Sequence, residues 1–175
     1  MNDNSTAPVN DNTRERLFQR FADLGIAAPT VPYPTHRTVE EGKVLRGNMT
    51  GTFTKNLLLK DKKGHLFLLT VDEDCVLDLK TVHTHIGAQT RLNFASGELM
   101  MERLGVAPGA LTPLAVINDT EGTVTVVIDA SLLEAEQVNV HPLAHTESTG
   151  LRPADLLAFI QSCAREPVLV AFNRC

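Results

Sequence analysis

FTKNLLLKDKKGHLFLLTV, residues 53–71, holds the two strands around which the rest of the chain can be arranged. Side chains alternate faces along a strand. Phe53, Lys55, Leu57 and Leu59 therefore share one face, and Thr54, Asn56, Leu58 and Lys60 share the other. Residues 61–64, Asp-Lys-Lys-Gly, suit a hairpin loop that ends in a left-handed position. The returning segment HLFLLTV is apolar on both faces. Lys55 is the anomaly, a cation at the head of the greasier face. Either its stem covers apolar surface while the ammonium reaches water, or it points into a cleft.

Upstream, residues 1–12 are polar and read as a frayed tail, with the folded domain over 13–172. Leu17, Phe18, Phe21 and Leu24 recur at helical spacing from Thr13, and Gly25 stops the run. The proline-rich APTVPYPT is an extended connector. Thr38 and Glu41 have capping-box spacing and predict a short helix to about Leu45. Downstream, Asp78 caps a helix through Leu79, Val82 and Ile86 to Gly87. RLNF is a short strand, and Ser96 caps a helix ended by Gly105. LAVI and TVTVVID read as two strands paired around NDTEG. SLLEAE is a helical turn, VNVHP a strand, Pro153 starts a helix, and PVLVAF is a last strand. Short strands mixed with helices give an α+β single domain rather than a doubly wound fold.

The 175 residues suffice for one domain with a substantial core. A hydrophobic content of 43% and a charged content of 21% are those of an ordinary globular protein. No apolar run approaches the roughly 20 residues of a membrane helix, and the N-terminus lacks the basic and apolar regions of a secretory signal. Cys75, Cys163 and Cys175 are too few and scattered for a disulfide framework, so a cytoplasmic setting is expected. Asp72, Glu73 and Asp74 would raise the Cys75 thiol and make it a poor nucleophile. The net charge of −5 argues against a general nucleic-acid coat, and no DNA partner is expected. Residues 43–63 nevertheless carry six cations (Lys43, Arg46, Lys55, Lys60, Lys62, Lys63) against Asp61 alone. A basic patch on an acidic body fits contact with phosphate at one place; lysines at a solvated hairpin tip are the alternative.

The sequence carries no GxGxxG after a strand, no GxxxxGK[ST], no HExxH and no GxSxG. His83 and His85 sit at a spacing that does not share a helix face; a metal there would need His141 or His145 as well, and surface histidines are the simpler reading. Residues 105–113, GVAPGALTP, form a loop of fixed path that can present backbone N–H groups to an oxyanion or phosphate, or that only caps a helix and enters a strand. His141 precedes Pro142, which forces an extended shape and can project the imidazole at a sheet edge.

KNLLLKDKKG (55–64), GALTP (109–113), INDTEGTVTVVID (117–129) and NVHP (139–142) occur in that order. With them the chain resembles, from about Thr13 to Phe172, the free-standing prolyl-tRNA editing proteins, related to the YbaK proteins and to the editing domain inserted in bacterial prolyl-tRNA synthetase. The resemblance implies a mixed, largely antiparallel, barrel-like sheet flanked by helices. It implies hydrolysis of alanine from mischarged Ala-tRNA(Pro), with Cys-tRNA(Pro) deacylation of the YbaK type, or acceptor-end binding without turnover, as alternatives. Lys55 maps onto the lysine tied to catalysis. Asn56, Gly109, Ala110, Leu111, Thr112, Pro113 and His141 map onto substrate-binding positions. Lys43, Arg46, Lys60, Lys62 and Lys63 are the candidate tRNA contacts. No metal or cofactor is implied; the partner is the acceptor end of tRNA(Pro), with prolyl-tRNA synthetase a candidate second one. Where the family carries His-Pro-Pro this chain has Tyr33-Pro34-Thr35, then His36, in a segment expected near the amino-acid pocket.

Overall fold

In the computed structural model, which describes residues 11–172, β2 (Thr52–Lys60) and β3 (Leu66–Asp72) pair antiparallel from Thr54 opposite Asp72 to Lys60 opposite Leu66. The loop between them is closed by Asp61, whose carboxylate accepts from the Lys63 and His65 amides and faces the His65 ring. Gly64, at φ +91°, supplies the left-handed residue that this turn requires. The predicted alternation holds. Leu58 and Leu68 face one apolar cluster, and Leu59, Phe67, Leu69 and Val71 face the other.

The remaining strands are β1 (Thr30–Pro32), β4 (Asn93–Phe94), β5 (Val124–Asp129), β6 (Val138–Val140), β7 (Glu147–Leu151) and β8 (Val168–Val170). They form one 8-stranded mixed sheet in the order β1-β7-β6-β2-β3-β5-β8, with β4 also on β2. β2 divides one of its edges, pairing parallel with β6 through Thr52 and Phe53 and antiparallel with β4 through Leu59 and Lys60. β3, β5 and β8 run parallel.

Helices α1 (Asp11–Asp23), α4 (Gly97–Leu104) and α5 (Pro153–Ser162) cover the first cluster with Leu17, Phe21, Met100, Leu104, Leu156, Phe159 and Ile160. Most of the tail predicted for residues 1–12 lies outside the described residues; α1 starts at Asp11, two positions before the expected boundary. Helix α2 (Val39–Leu45) is capped as predicted, the Thr38 hydroxyl accepting from the Glu41 amide at 3.1 Å. Ser96 does the same for α4, and Gly105 ends it in the left-handed region.

Three expectations are corrected. LAVI is not a strand: Pro113–Asn118 form a buried 3₁₀ helix, with the Thr112 hydroxyl accepting from the Leu114 amide and Pro113 at the first turn. The proposed LAVI–TVTVVID hairpin is therefore absent, and β5 pairs with β3 instead. The Asp78 helix shrinks to α3 (Val82–His85), because Asp78 spends its carboxylate and carbonyl on a preceding turn. Glu147–Leu151, read as no element, is β7 between β1 and β6; Thr149 is fully buried and shares a 2.7 Å hydroxyl bond with Thr30.

Candidate active site

The first half of β2 and the connector before α2 build the site. Phe53 lies under the Arg46 guanidinium, whose centre is 3.8 Å from the ring centroid. Arg46 is held there by a fork of bonds to Glu73, at 2.8 and 3.1 Å. Tyr33 stands at the centre of a ring cluster, 6.0 Å from Phe53 and 5.2 Å from both His36 and His141. Its position is fixed by its amide, which donates to the Thr146 carbonyl at 2.7 Å. Burial raises the Tyr33 phenol above its ordinary value, with Arg46 opposing and Glu73 adding to the shift.

His141 follows β6, and its Nδ1 is 2.8 Å from the Glu147 carbonyl of β7. A carbonyl only accepts, so Nδ1 carries the proton and Nε2 keeps its lone pair. Burial pulls the His141 pKa below the usual histidine value; the Glu147 bond opposes this, and the nearby His145 and His36 charges reinforce it. His141, His36, His145, Pro34, Thr35 and Gly109 line a recess of about 110 Å³. A narrower crevice beside it is walled by Tyr33, Phe53, Thr54, Asn139 and His141. His36 is wedged against α2: a methyl group on Gly42 would come within 2.7 Å of its Nε2.

Lys55 is half-buried on the face of Phe53 and Leu57, and its ammonium donates to the Cys75 carbonyl. It lines neither of the two recesses at His141. Phe53, two positions away on the same face and thus about 7 Å along the strand, connects it to them. Asn56 is adjacent in sequence but points to the opposite face, where its amide oxygen accepts from the buried Thr70 hydroxyl at 2.7 Å. Of residues 109–113, only Gly109 is exposed. Ala110, Leu111, Thr112 and Pro113 are buried, so they set the path of the loop rather than border the recess.

The basic window is not one patch. Lys43 pairs with Asp74 at 2.5 Å near the start of β2. Arg46, expected on the surface, is only 8% exposed and committed to Glu73 and Phe53. Lys60, Lys62 and Lys63 are exposed at the hairpin tip, about 16 Å beyond Lys55 for the five residues to Lys60. There the Lys62 amide donates to Thr90 and the Lys63 ammonium to Gln89. Cys75 is fully buried and disulfide-bonded, which corrects the expectation of a free thiol of raised pKa and removes it as a nucleophile. His83 and His85 are separated from the His141 recess by their place on α3, and among the described residues no three His, Cys, Asp or Glu groups are placed to hold a metal ion. The sequence reading placed the Tyr33–His36 segment near the amino-acid pocket through the family resemblance, but passed over Phe53 and Glu73 as parts of the site; the prolines around Tyr33, which forbid helix and hold the connector extended, are the local signal that marks it.

The model of the aminoacyl-tRNA editing domain family matches residues 34–159. A zebrafish (Danio rerio) protein named prolyl-tRNA synthetase associated domain-containing protein 1 is 36% identical over 97% of this chain and 91% of its own length. The prolyl-tRNA editing protein ProX of Acetoanaerobium sticklandii is 30% identical over 86% of this chain and 92% of its own. The crystal structure of a protein proposed to be a trans-editing enzyme for prolyl tRNA synthetase superposes with a TM-score of 0.68 at 21% identity, over 92% of this chain and 98% of that one; at this identity the likeness speaks for the fold.

Proposed function

The chain belongs to the aminoacyl-tRNA editing domain family, and from that premise we propose that it is a deacylase that hydrolyses alanine from mischarged tRNA(Pro) in trans, in the cytoplasm. One observation carries the reading. Segments far apart in sequence, the Tyr33–His36 connector, Gly109 and His141, converge on a small recess beside the strand that bears Lys55. At roughly 30 Å³ per water, a volume of about 110 Å³ has room for a small side chain and a water.

An aminoacyl ester is already activated, so the task is to place a water and stabilise the tetrahedral oxyanion. An ammonium has three donors. The Cys75 carbonyl takes one from Lys55 and aims the group, leaving the others for an anionic oxygen of the substrate. In a half-buried position that charge acts more strongly than in water. The Gly109 amide lies in the first turn of the Pro108–Ala110 3₁₀ segment, where helix geometry leaves N–H groups without an internal acceptor; it orients the carbonyl or the water. The ribose hydroxyl of the tRNA assists, and His141 lines the pocket as a neutral acceptor. Lys60, Lys62 and Lys63 are the proposed contact for the acceptor stem, and Arg46 serves as a buried support.

A pocket built for proline rejects alanine weakly, since a lost methylene is worth only about 1–3 kcal/mol, and a second, smaller sieve removes what slips through. The test is deacylation of alanyl-, cysteinyl- and prolyl-tRNA(Pro) and of alanyl-tRNA(Ala) by the purified chain. Hydrolysis of the first alone is expected. Preference for the cysteinyl ester would move the substrate to cysteine, and binding without turnover of any would make the chain an acceptor-end binding module.

A further inference from the structure

Alternation carries one row of side chains across four strands on the Lys55 face. Phe53 and Lys55 of β2 share that face, and Asn139 of β6 pairs with Phe53. His141, two positions after Asn139, continues the row. Gly150 of β7 lies opposite Asn139, so Ser148, two positions before Gly150, faces the same way. Val31 of β1 lies opposite Ser148, and Tyr33 follows two residues later. The other face of these strands sends Val138, Val140 and Leu151 into the main core. Ser148 therefore belongs to the row that holds Lys55 and His141, although no motif in the sequence marks it.

Ser148 is 3% exposed, and among the described residues its hydroxyl makes no hydrogen bond. Its neighbours are engaged. The Thr149 hydroxyl bonds to Thr30, the Thr54 hydroxyl donates to the Asn139 carbonyl, and the Asn139 amide bonds to Thr50 and Gln137. A buried hydroxyl with no protein partner is costly and points to a ligand or a water. The crevice that Ser148 lines with Tyr33, Thr54, Asn139 and His141 has a volume of about 20 Å³. About 10–15 Å³ is enough for one water, which needs two to four polar partners. The Ser148 hydroxyl can donate and accept, and the Tyr33 phenol likewise. His141 offers Nε2 as an acceptor, because its Nδ1 proton goes to the Glu147 carbonyl. His141 also lines the larger recess, so a water held here stands beside the place proposed for the aminoacyl carbonyl.

We propose that Ser148 holds the attacking water: its hydroxyl and Nε2 of His141 grip one water in this crevice, with a lone pair turned toward the ester in the adjoining recess. The ester rests on the deacylase reading; the water site rests on the crevice alone. In the reaction the water oxygen bonds to the carbonyl carbon and the ester C–O bond breaks. The proton that the water loses passes through the neighbouring ribose hydroxyl to the departing ribose oxygen. Ser148 and His141 keep their protons throughout, so their part is to orient the water, while Lys55 faces the oxyanion.

The test pairs crystal structures that show ordered water with single-turnover deacylation of alanyl-tRNA(Pro), for wild type, Ser148→Ala and Ser148→Thr. The wild type should show a water within hydrogen-bond distance of Ser148 Oγ and His141 Nε2. Ser148→Ala should lower the rate at saturating enzyme by about tenfold, the worth of one hydrogen bond, with the half-saturating concentration unchanged. Its urea midpoint should be no lower than that of the wild type, since no protein group loses a partner. Ser148→Thr, which keeps the hydroxyl, should recover the rate. A dry crevice, or Ser148→Ala turnover at the wild-type rate, would overturn the role of Ser148 and leave the deacylase reading intact. A slower Ser148→Ala protein with a lower midpoint, not rescued by threonine, would make the residue structural and overturn the role as well. A water in place in a wild type that hydrolyses no aminoacyl ester would sink the deacylase reading, and the part of Ser148 in the reaction with it.

Discussion

Glu73→Ala should be among the costliest single changes near the site. The Glu73 and Arg46 side chains are 15% and 6% exposed and bond through both guanidinium nitrogens. Removing one partner of a buried pair leaves the other charge desolvated, which costs about 3–5 kcal/mol. The Phe53 ring does not offset this: a desolvated cation–π contact is worth up to about 2 kcal/mol, but it exists already in the wild type and gains nothing from the loss of Glu73. Against a total stability of roughly 5–15 kcal/mol the loss is large. With a urea slope near 2 kcal/mol/M, the unfolding midpoint should fall by about 1.5–2.5 M. Arg46→Met with Glu73→Leu should recover most of it, because an apolar pair of similar volume is often neutral or better. Asp74→Ala next door, which breaks only the exposed pair to Lys43, should leave the midpoint where it was. A Glu73→Ala shift no larger than the Asp74→Ala one would mean that the Arg46 guanidinium is hydrated, and the rigid support argued for Phe53 and Tyr33 would fail with it.

Gly109→Ala should leave thermal stability within about 0.5 kcal/mol, since a methyl group there meets nothing within 4 Å, yet it should slow hydrolysis of alanyl-tRNA(Pro) by narrowing the recess; unaltered kinetics would remove Gly109 from the pocket. His141 bears on stability through pH. Its folded pKa is depressed, so its contribution is whole above the ordinary histidine value of about 6.5 and is lost as pH falls through the folded value. Urea stabilities of wild type and His141→Gln from about pH 7.5 to about pH 5 should therefore diverge, the wild type falling more steeply; parallel curves would contradict the assignment. Replacing Lys60, Lys62 and Lys63 by alanine should lower the slope of log affinity against log salt for tRNA by up to about 2–3, while an unchanged slope would place the acceptor stem elsewhere.

Much of the fold was legible because it is local. The hairpin of β2 and β3 announces itself by alternation and by a loop with glycine where φ is positive; the Thr38 and Ser96 helix starts follow from which groups satisfy the first amides, and Pro153 starts a helix as a residue with no amide to satisfy. LAVI misled because four apolar residues in a row have no period that separates strand from buried helix. Thr112-Pro113, a capping residue followed by proline, was the signal for a helical start. β7 was hidden for the opposite reason. Glu-Ser-Thr-Gly has the composition of a loop, and its burial rests on partners remote in sequence: Thr30 for Thr149, and the Gln137 side chain packed where Gly150 would otherwise carry a methyl group. The parallel pairing of β3, β5 and β8 is likewise set by long-range packing rather than by any short motif.

Within the site, alternation placed Lys55 on the apolar face, and the question of where it points has a physical answer in the Cys75 carbonyl. Asn56 shows the limit of reading neighbours as a unit, since adjacent strand residues face opposite ways. Charge counting along residues 43–63 suggested one patch because sequence does not reveal that Asp74 and Glu73, from the end of β3, reach over to Lys43 and Arg46.

The most direct measurement is single-turnover deacylation of alanyl-tRNA(Pro) by wild type and Lys55→Ala, with the urea midpoint of each protein recorded beside it. Loss of a preorganised donor to an oxyanion costs roughly 10²–10³ in rate. A drop of that order with an unchanged midpoint is the expected result. A Lys55→Ala protein that folds normally and hydrolyses the ester at the wild-type rate would contradict the central claim and return Lys55 to the role of a strand-end cation.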